Sequence, residues 1–200
     1  MRQTVLACVL AASAVSATAQ TEVPDAPDPY IHAQTGMRFP AQVGPFERHE
    51  VVRYNTDGSD TGVGYQLIQS GRKIGYVSMF VYPEPALGKD QSRQQACRDL
   101  FAGIKQDILK HEPDAKVLTE GDISAPSPHV RKRGLHATLS GGSAMFDGRE
   151  QRVIEQASLF CHVGERWLVS YRVTWPEGEN PTAAVEALVK ALHWPEALSH

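Results

Sequence analysis

Apolar and polar residues alternate along several stretches of the chain, and a period of two is typical of β-strands with one buried face. The pattern is clearest in residues 166–175, where one face is formed by Trp167, Val169, Tyr171, Val173 and Trp175. Residues 74–82 are apolar on both faces, which favours a central position in a sheet. The same reasoning predicts further strands at residues 49–54, 62–69, 115–120, 135–145 and 149–163.

The period changes to that of an α-helix over residues 91–111, where apolar side chains recur at helical spacing. These side chains are Cys97, Leu100, Phe101, Ile104 and Ile108. We expect this helix to end at Glu112-Pro113, because the residue before a proline avoids helical geometry. A second helix should begin at Pro181, since a proline in the first helical position loses no hydrogen bond. It should end at Trp194-Pro195.

The order of strands, helix, strands and helix predicts an α+β fold in which a mostly antiparallel sheet packs with two main helices. Asp57-Gly58 and Asp147-Gly148 separate neighbouring strands and are typical of hairpin turns. Both a two-layer and a three-layer sandwich fit this order. In one arrangement both helices cover the same face of the sheet and the other face meets water.

The N-terminal residues have the layout of a secretory signal peptide. Arg2 supplies a positive charge, residues 5–17 are almost entirely apolar, and Ala19 is a small residue at the cleavage position. We therefore predict a signal peptide over residues 1–19 and a periplasmic or secreted location. Lipidation at Cys8 is an alternative use of the same segment.

Composition divides the rest of the chain into two parts. Residues 20–30 hold three prolines and three acids, and such a segment buries little, so we expect a flexible leader there. Residues 31–200 then form a single domain, which is long enough to bury a full core.

The apolar part of the signal peptide is shorter than the about 20 residues of a membrane-spanning helix. No later apolar run exceeds it, so we predict no transmembrane segment.

The formal net charge is −3, which argues against nucleic acid as a partner because such binding needs a strong positive field. One basic cluster nevertheless stands out, formed by His129, Arg131, Lys132 and Arg133. It lies in residues 121–134, where two prolines predict a long loop. The cluster is a candidate patch for an acidic partner, and a solvated loop without a partner is the alternative.

After the predicted cleavage position the chain has two cysteines, Cys97 and Cys161. Both fall on apolar faces, one in the predicted helix and one in the predicted strand 149–163. The strand face that carries Cys161 also carries Val153, Ala157, Leu159 and Val163. In an exported chain such cysteines often pair, and a bridge closing a loop of about 65 residues would contribute about 4 kcal/mol in the chain-entropy model. The alternative is a pair of buried free thiols.

Motifs for metals, cofactors and catalysis are incomplete in this sequence. Residues 55–60 resemble the start of a calcium loop, but Asp60 stands where that loop needs glycine and Gln66 where it needs glutamate. His49-Glu50 lacks the second histidine of a zinc-binding helix, and the chain has no G-x-S-x-G motif. We therefore assign no catalytic residue, no metal ligand and no cofactor.

The start of the predicted domain has the pattern G-x-x-F-P followed by G-P-F. It is formed by Gly36, Phe39, Pro40, Gly44, Pro45 and Phe46. Together with a meander, a long helix and two long strands before a terminal helix, this layout resembles the PsbP/Mog1-like fold family over most of residues 31–195. That family includes an extrinsic photosystem subunit, a nuclear-transport regulator and bacterial envelope proteins. The resemblance implies a binding or assembly role and transfers no individual functional residue.

These observations predict an exported periplasmic binding or assembly protein without catalytic activity, whose partner is another envelope protein. The alternative is a small periplasmic hydrolase, or a protein that binds a small ligand in a cleft between sheet and helix. That alternative requires polar side chains that converge in a cavity.

Overall fold

The computed structural model describes residues 20–124, 133–164, 166–192 and 194. Within these ranges the chain forms eleven β-strands and two α-helices. The strands are β1 (Thr21–Glu22), β2 (Tyr30–Ile31), β3 (Arg38–Phe39), β4 (Gln42–Val43), β5 (Phe46–Arg53), β6 (Thr61–Gln69), β7 (Arg72–Pro83), β8 (Lys116–Ser124), β9 (Arg133–Phe146), β10 (Arg149–Val163) and β11 (Trp167–Pro176). Helix α1 (Arg93–His111) lies between β7 and β8, and helix α2 (Thr182–Ala191) follows β11.

The main sheet has nine strands in the order β1-β5-β6-β7-β11-β10-β9-β8, with β4 paired to β5, and β2 pairs separately with β3. Every strand pair is antiparallel. The chain leaves β7 through α1, reaches the far edge at β8 and returns strand by strand until β11 pairs with β7. The prediction of an α+β fold with a mostly antiparallel sheet and two helices is confirmed, and the predicted strand 74–82 lies in the central β7.

The two helices pack on opposite faces of the main sheet. Leu168 and Val169 are neighbours in β11 and therefore point to opposite faces. Leu168 belongs to a core cluster with Phe101 of α1, whereas Val169 belongs to a cluster with Leu188 of α2. We call these two sides the α1 face and the α2 face. The arrangement with both helices on one face is therefore wrong, because β11 is apolar on both sides and needs a cover on each.

The α2 face carries the larger core. The alternating residues that end with Trp175 on β11 pack there, as their pattern predicts. Other buried side chains of this core are Met37, Phe39, Phe46, Tyr65, Val77, Met79, Phe160, Val185, Leu188 and Trp194. At about 25 cal/mol per Å² of buried apolar surface, such a core supplies the main stabilisation of the fold.

Residues 20–30, where the composition predicts a flexible leader, lie along the sheet. The N–H of Val23 donates to the carbonyl of Val51 at 2.8 Å, and the Arg48 guanidinium donates to two carbonyls of the segment at 2.8 and 2.9 Å. Tyr30 is only 5% exposed and packs in the α2-face core. Prolines fit this position, because a segment at the edge of a sheet needs few backbone N–H groups to donate hydrogen bonds to a neighbouring strand.

The loop predicted for residues 121–134 is wrong at both ends. Its first four residues belong to β8 and its last two belong to β9, while residues 125–132 lie outside the described ranges. A Cβ at Gly121 would meet no atom within 4 Å. Glycine is tolerated there because an open sheet edge demands little packing.

One position on β10 differs from its predicted face. The register between β10 and β11 shifts between Phe160 and Val163, and His162 has a left-handed φ of 60°. This bulge turns Val163 to the α2 face, where it joins Phe160 in the core. Cys161 stays on the α1 face. A bulge adds one residue to a strand, so the period of two fails on either side of it.

Candidate functional site

Antiparallel pairing on the α1 face places side chains from neighbouring strands in rows. Ser170 on β11 lies opposite Phe80 on β7, and Phe80 lies opposite Gly62 on β6. Residues two apart on a strand share a face, so Tyr82 and Arg172 also point to this side of the sheet. The α1 face is therefore aromatic and polar at the centre of the sheet.

Helix α1 covers only part of this face. Its two buried side chains, Phe101 and Ile108, pack mainly against β9 and β10. Beside α1, a groove with a volume of about 350 Å³ remains over β6, β7 and β11, and we call it the aromatic groove. It is lined by Tyr54, Asp60, Phe80, Tyr82, Ile104, Ser170 and Arg172.

One end of the aromatic groove, which we call the acidic end, combines three aromatic rings with a carboxylate. The ring centroids of Tyr54 and Phe80 are 6.2 Å apart, with their planes tilted by 41°. Asp60 precedes Thr61, which pairs with Val81, so Asp60 lies beside Tyr82. The backbone fixes this end as well, since the N–H of Tyr54 donates to the carbonyl of Asp60 at 2.8 Å.

Burial and negative charge act together at the acidic end. Burial raises the pKa of the Asp60 carboxyl above its ordinary value. Burial raises the pKa of the Tyr82 hydroxyl to about 12; the charge of Asp60 adds to this effect and the charge of Arg172 opposes it. The pKa of Tyr54 is also raised, first by burial and then by Glu50 and Asp60. The acidic end is therefore partly shielded from solvent, and the effect of the Asp60 charge on Tyr82 outweighs that of Arg172.

The other end of the aromatic groove is polar. Ser170 is 4% exposed, and the Arg172 guanidinium lies 3.6 Å from the Asp107 carboxylate on α1. Glu155 is also close enough for its pKa to respond to Arg172. The positive charge of Arg172 is thus offset by two carboxylates.

A second cavity of about 190 Å³ lies where α1 ends. Glu112 and Glu155 line it together with Ser140, Ser143 and Thr174. Burial raises the pKa of the Glu155 carboxyl above its ordinary value, and Glu112 contributes in the same direction. The Ser143 hydroxyl donates to the exposed Glu150 at 2.7 Å and so is directed away from these two carboxyls.

A serine–histidine contact occurs elsewhere, between Ser158 Oγ and His136 Nδ1 at 3.1 Å. Ser158 is fully buried on the α2 side of β10, and neither residue lines the groove or the second cavity. Thr138 bonds the other ring nitrogen of His136 at 3.3 Å. A nucleophile needs access to its substrate, so this arrangement fits a structural role.

The two predicted cysteines lie together. Their sulfur atoms are 2.06 Å apart, at disulfide distance, and their Cα atoms are 6.1 Å apart. Cys97 is in the first half of α1 and Cys161 is near the end of β10, so the pair ties the helix to the α1 face. As the sequence predicts, Cys97 lies on the apolar stripe of the helix and Cys161 on the apolar face of the strand. The pairing joins these two surfaces.

The predicted basic patch is described only at Arg133. This side chain is 75% exposed, and its Nε lies 3.8 Å from the Asp122 carboxylate on β8. His129, Arg131 and Lys132 lie outside the described residues. Arg133 is therefore available at the surface, with its charge partly offset by Asp122.

Within the described ranges, no group of three or more histidine, cysteine and acidic side chains is positioned to hold a metal ion. None of the described helices is both long enough and apolar enough to cross a membrane. A comparison with protein-family models finds no match to this chain, and a comparison with curated proteins finds no significant similarity. The site must therefore be interpreted from its own geometry.

The sequence pattern predicts no binding site at the residues of the aromatic groove. The available signal was the apolar character of residues 74–82 on both faces, which includes Phe80 and Tyr82. It predicts burial on both sides, whereas α1 leaves these two rings half-covered. The contribution of Tyr54 and Asp60 depends on strand register, which the sequence does not reveal.

Proposed function

We propose that the protein is an exported binding protein without catalytic activity, which holds a small ligand with an apolar body in the aromatic groove. The supporting observation is that three aromatic side chains line an open groove of about 350 Å³, together with polar side chains. Ligand sites are typically concave, mostly apolar and at least about 300 Å³ in volume, with a few polar groups that orient the ligand. The signal-like N-terminus supports export.

The groove suits binding better than a reaction. The rings of Tyr54, Phe80 and Tyr82 offer apolar surface for a ligand body, and Asp60 and Arg172 offer opposite charges for its ends. General acid–base or nucleophilic catalysis needs a reactive group within hydrogen-bond reach of a base. Among the described residues that line the groove, no such hydrogen-bonded pair occurs.

Calorimetric titration of the full chain with three probes tests this function. Benzyl alcohol, benzoate and benzyltrimethylammonium share one ring and differ in charge. We expect at least one probe to bind, and Phe80→Ala to weaken its binding about tenfold, a loss of about 1.4 kcal/mol. Met145→Ala changes an exposed apolar side chain on β9 and should leave binding unchanged. The proposal is wrong if no probe binds, or if Phe80→Ala has no effect on binding.

Assembly with an envelope protein is a second candidate function, and strand β8 favours it. Within the described residues β8 forms one edge of the main sheet, and Val117 and Leu118 are 41% and 54% exposed. An open edge can pair with an extended segment of a partner. Arg133 lies next to this edge, opposite Ser124.

The two candidates can be separated by pull-down from envelope extracts. Leu118→Lys places a charge on the β8 edge and should abolish recovery of any partner that pairs with this strand. Replacing Arg131, Lys132 and Arg133 with glutamate tests the basic patch in the same way. Met145→Lys is the control on β9. Unchanged partner recovery with both sets of variants would remove this surface as the docking site.

A further inference from the structure

The acidic end of the aromatic groove holds a carboxylate that the described part of the chain leaves without a cation. Asp60 donates its backbone N–H to Asn55 at 3.1 Å, but none of the described lysine or arginine side chains forms an ion pair with its carboxylate. Burial also makes the charged form of Asp60 costly. An opposite charge close to a carboxylate favours its charged form, so a cation brought by a ligand is complementary to Asp60.

We propose that the aromatic groove binds organic cations, with a substituted ammonium group held by Tyr54, Phe80, Tyr82 and Asp60. This inference rests on the proposed function of the groove as a ligand site. It adds the chemical class of the ligand.

The aromatic rings support a cation because their faces carry negative charge density. An ammonium group is attracted when it lies within about 6 Å of a ring centroid, and alkylated ammonium ions are bound in this way by cages of aromatic residues. The Tyr54 and Phe80 centroids are 6.2 Å apart, so one cation placed over the adjacent rings, on their groove side, can lie within about 6 Å of both centroids. Tyr82 adds a third ring beside Asp60.

Arg172 lines the same groove and its charge acts on Tyr82 in the opposite sense to Asp60, but more weakly than Asp60 does. Tyr82 pairs with Leu168 on β11, and Arg172 follows Leu168 by four residues. At about 3.3 Å per residue this spacing is about 13 Å. The Arg172 charge is also paired with Asp107. The acidic end therefore keeps a negative potential, while the Arg172 end can accept a polar group of the same ligand.

The three benzyl probes measure this preference in the full chain. We expect benzyltrimethylammonium to bind at least tenfold more tightly than benzyl alcohol or benzoate. Asp60→Asn preserves shape and removes the charge, so it should weaken binding of the cation about tenfold and change that of benzyl alcohol less than twofold. Asp57→Asn changes a fully exposed carboxylate of the same turn and is the matched control, which should keep the preference.

Tyr54→Leu is a second variant, which keeps apolar volume but removes one ring face. It should weaken binding of the cation more than that of benzyl alcohol. The inference is overturned if the cation binds no more tightly than the neutral probe, or if Asp60→Asn keeps the preference. Binding of all three probes with equal affinity, weakened by Phe80→Ala, would leave the proposed function standing without the cation preference. Binding of none would remove both.

Discussion

Phe80 lies directly opposite Gly62 in the β6–β7 pairing, and its ring occupies the space that a side chain on Gly62 would need. A Cβ at position 62 would lie 3.2 Å from Phe80 Cε1 and 3.0 Å from Tyr54 Cε2. The absence of a side chain therefore allows both rings to lie against the sheet. The shape of the acidic end depends on this glycine, although glycine offers a ligand no functional group.

Gly62→Ala should displace the two rings and weaken binding of benzyltrimethylammonium about tenfold. The free energy of unfolding should change by less than about 1 kcal/mol, because half-buried rings can shift and alanine gains back some of the backbone entropy that glycine loses. Calorimetry and urea unfolding measure the two effects. Gly121→Ala on β8, where a Cβ has open space, is the control. Unchanged affinity in Gly62→Ala would show that the rings do not form the site.

The cysteine pair should stabilise the fold substantially. Cys97 and Cys161 are 64 residues apart, and closing such a loop contributes about 4 kcal/mol in the chain-entropy model. The Cys97→Ser and Cys161→Ser variants should each lose about this amount in denaturant unfolding. Reductant should lower the stability of the wild-type chain similarly and leave both variants unchanged. Alkylation of both thiols in the unreduced, denatured protein would contradict the bridge. This measurement uses the Cys8→Ser variant, so that Cys8 does not contribute a third thiol.

The buried His32 should make stability fall in acid. Its side chain is fully buried, Nε2 donates to the Ser59 carbonyl at 3.3 Å, and Nδ1 accepts from the Thr35 hydroxyl at 2.8 Å. Burial lowers the pKa of His32, although Asp57 and backbone carbonyls oppose this effect. The unfolded chain therefore binds the proton at a higher pH than the folded chain does.

Stability should be fully present above the unfolded histidine pKa of about 6.5 and decline as the pH falls through the lower pKa of the folded state. Urea unfolding between pH 8 and pH 5 measures this decline. His32→Gln should be less stable at pH 8 but lose less stability on acidification. Burial also lowers the pKa of His49 and His136, so part of the decline remains. An unchanged decline in His32→Gln would contradict this account.

Gly134 provides a test of the α2-face core. A Cβ at this position would lie 2.6 Å from the Phe160 ring and 2.8 Å from the Leu159 carbonyl oxygen. Phe160 is fully buried and stands edge-on to Trp194, with centroids 5.2 Å apart, so it has little room to shift. Gly134→Ala should therefore lower the free energy of unfolding by about 1–3 kcal/mol. Destabilisation no larger than in Gly121→Ala would contradict this packing.

Local periodicity predicts the elements of this fold well. The stripe from Trp167 to Trp175 packs on one face of β11, and the helical stripe around Phe101 packs on the sheet, because both patterns depend on neighbours in the sequence. The predictions are wrong where long-range contacts determine the structure. The two helices lie on opposite faces of the sheet instead of sharing one, and the bulge at His162 moves Val163 to the other face of β10.

The sequence predicts much less of the aromatic groove. Its side chains come from β7, β11, α1 and the connection between β5 and β6, and their proximity follows from register and from the limited cover that α1 provides. In the sequence, Asp60 stands out only because it occupies the position where a calcium loop needs glycine. Its role at the acidic end emerges once β5 and β7 place Tyr54 and Tyr82 beside it.

The most direct measurement of the central claim is a crystal structure of the full chain with benzyltrimethylammonium. The account predicts the ammonium group within about 6 Å of the Tyr54 and Phe80 ring centroids, next to the Asp60 carboxylate. A complex in which the probe binds elsewhere, while the aromatic groove contains no probe at saturating concentration, would contradict it.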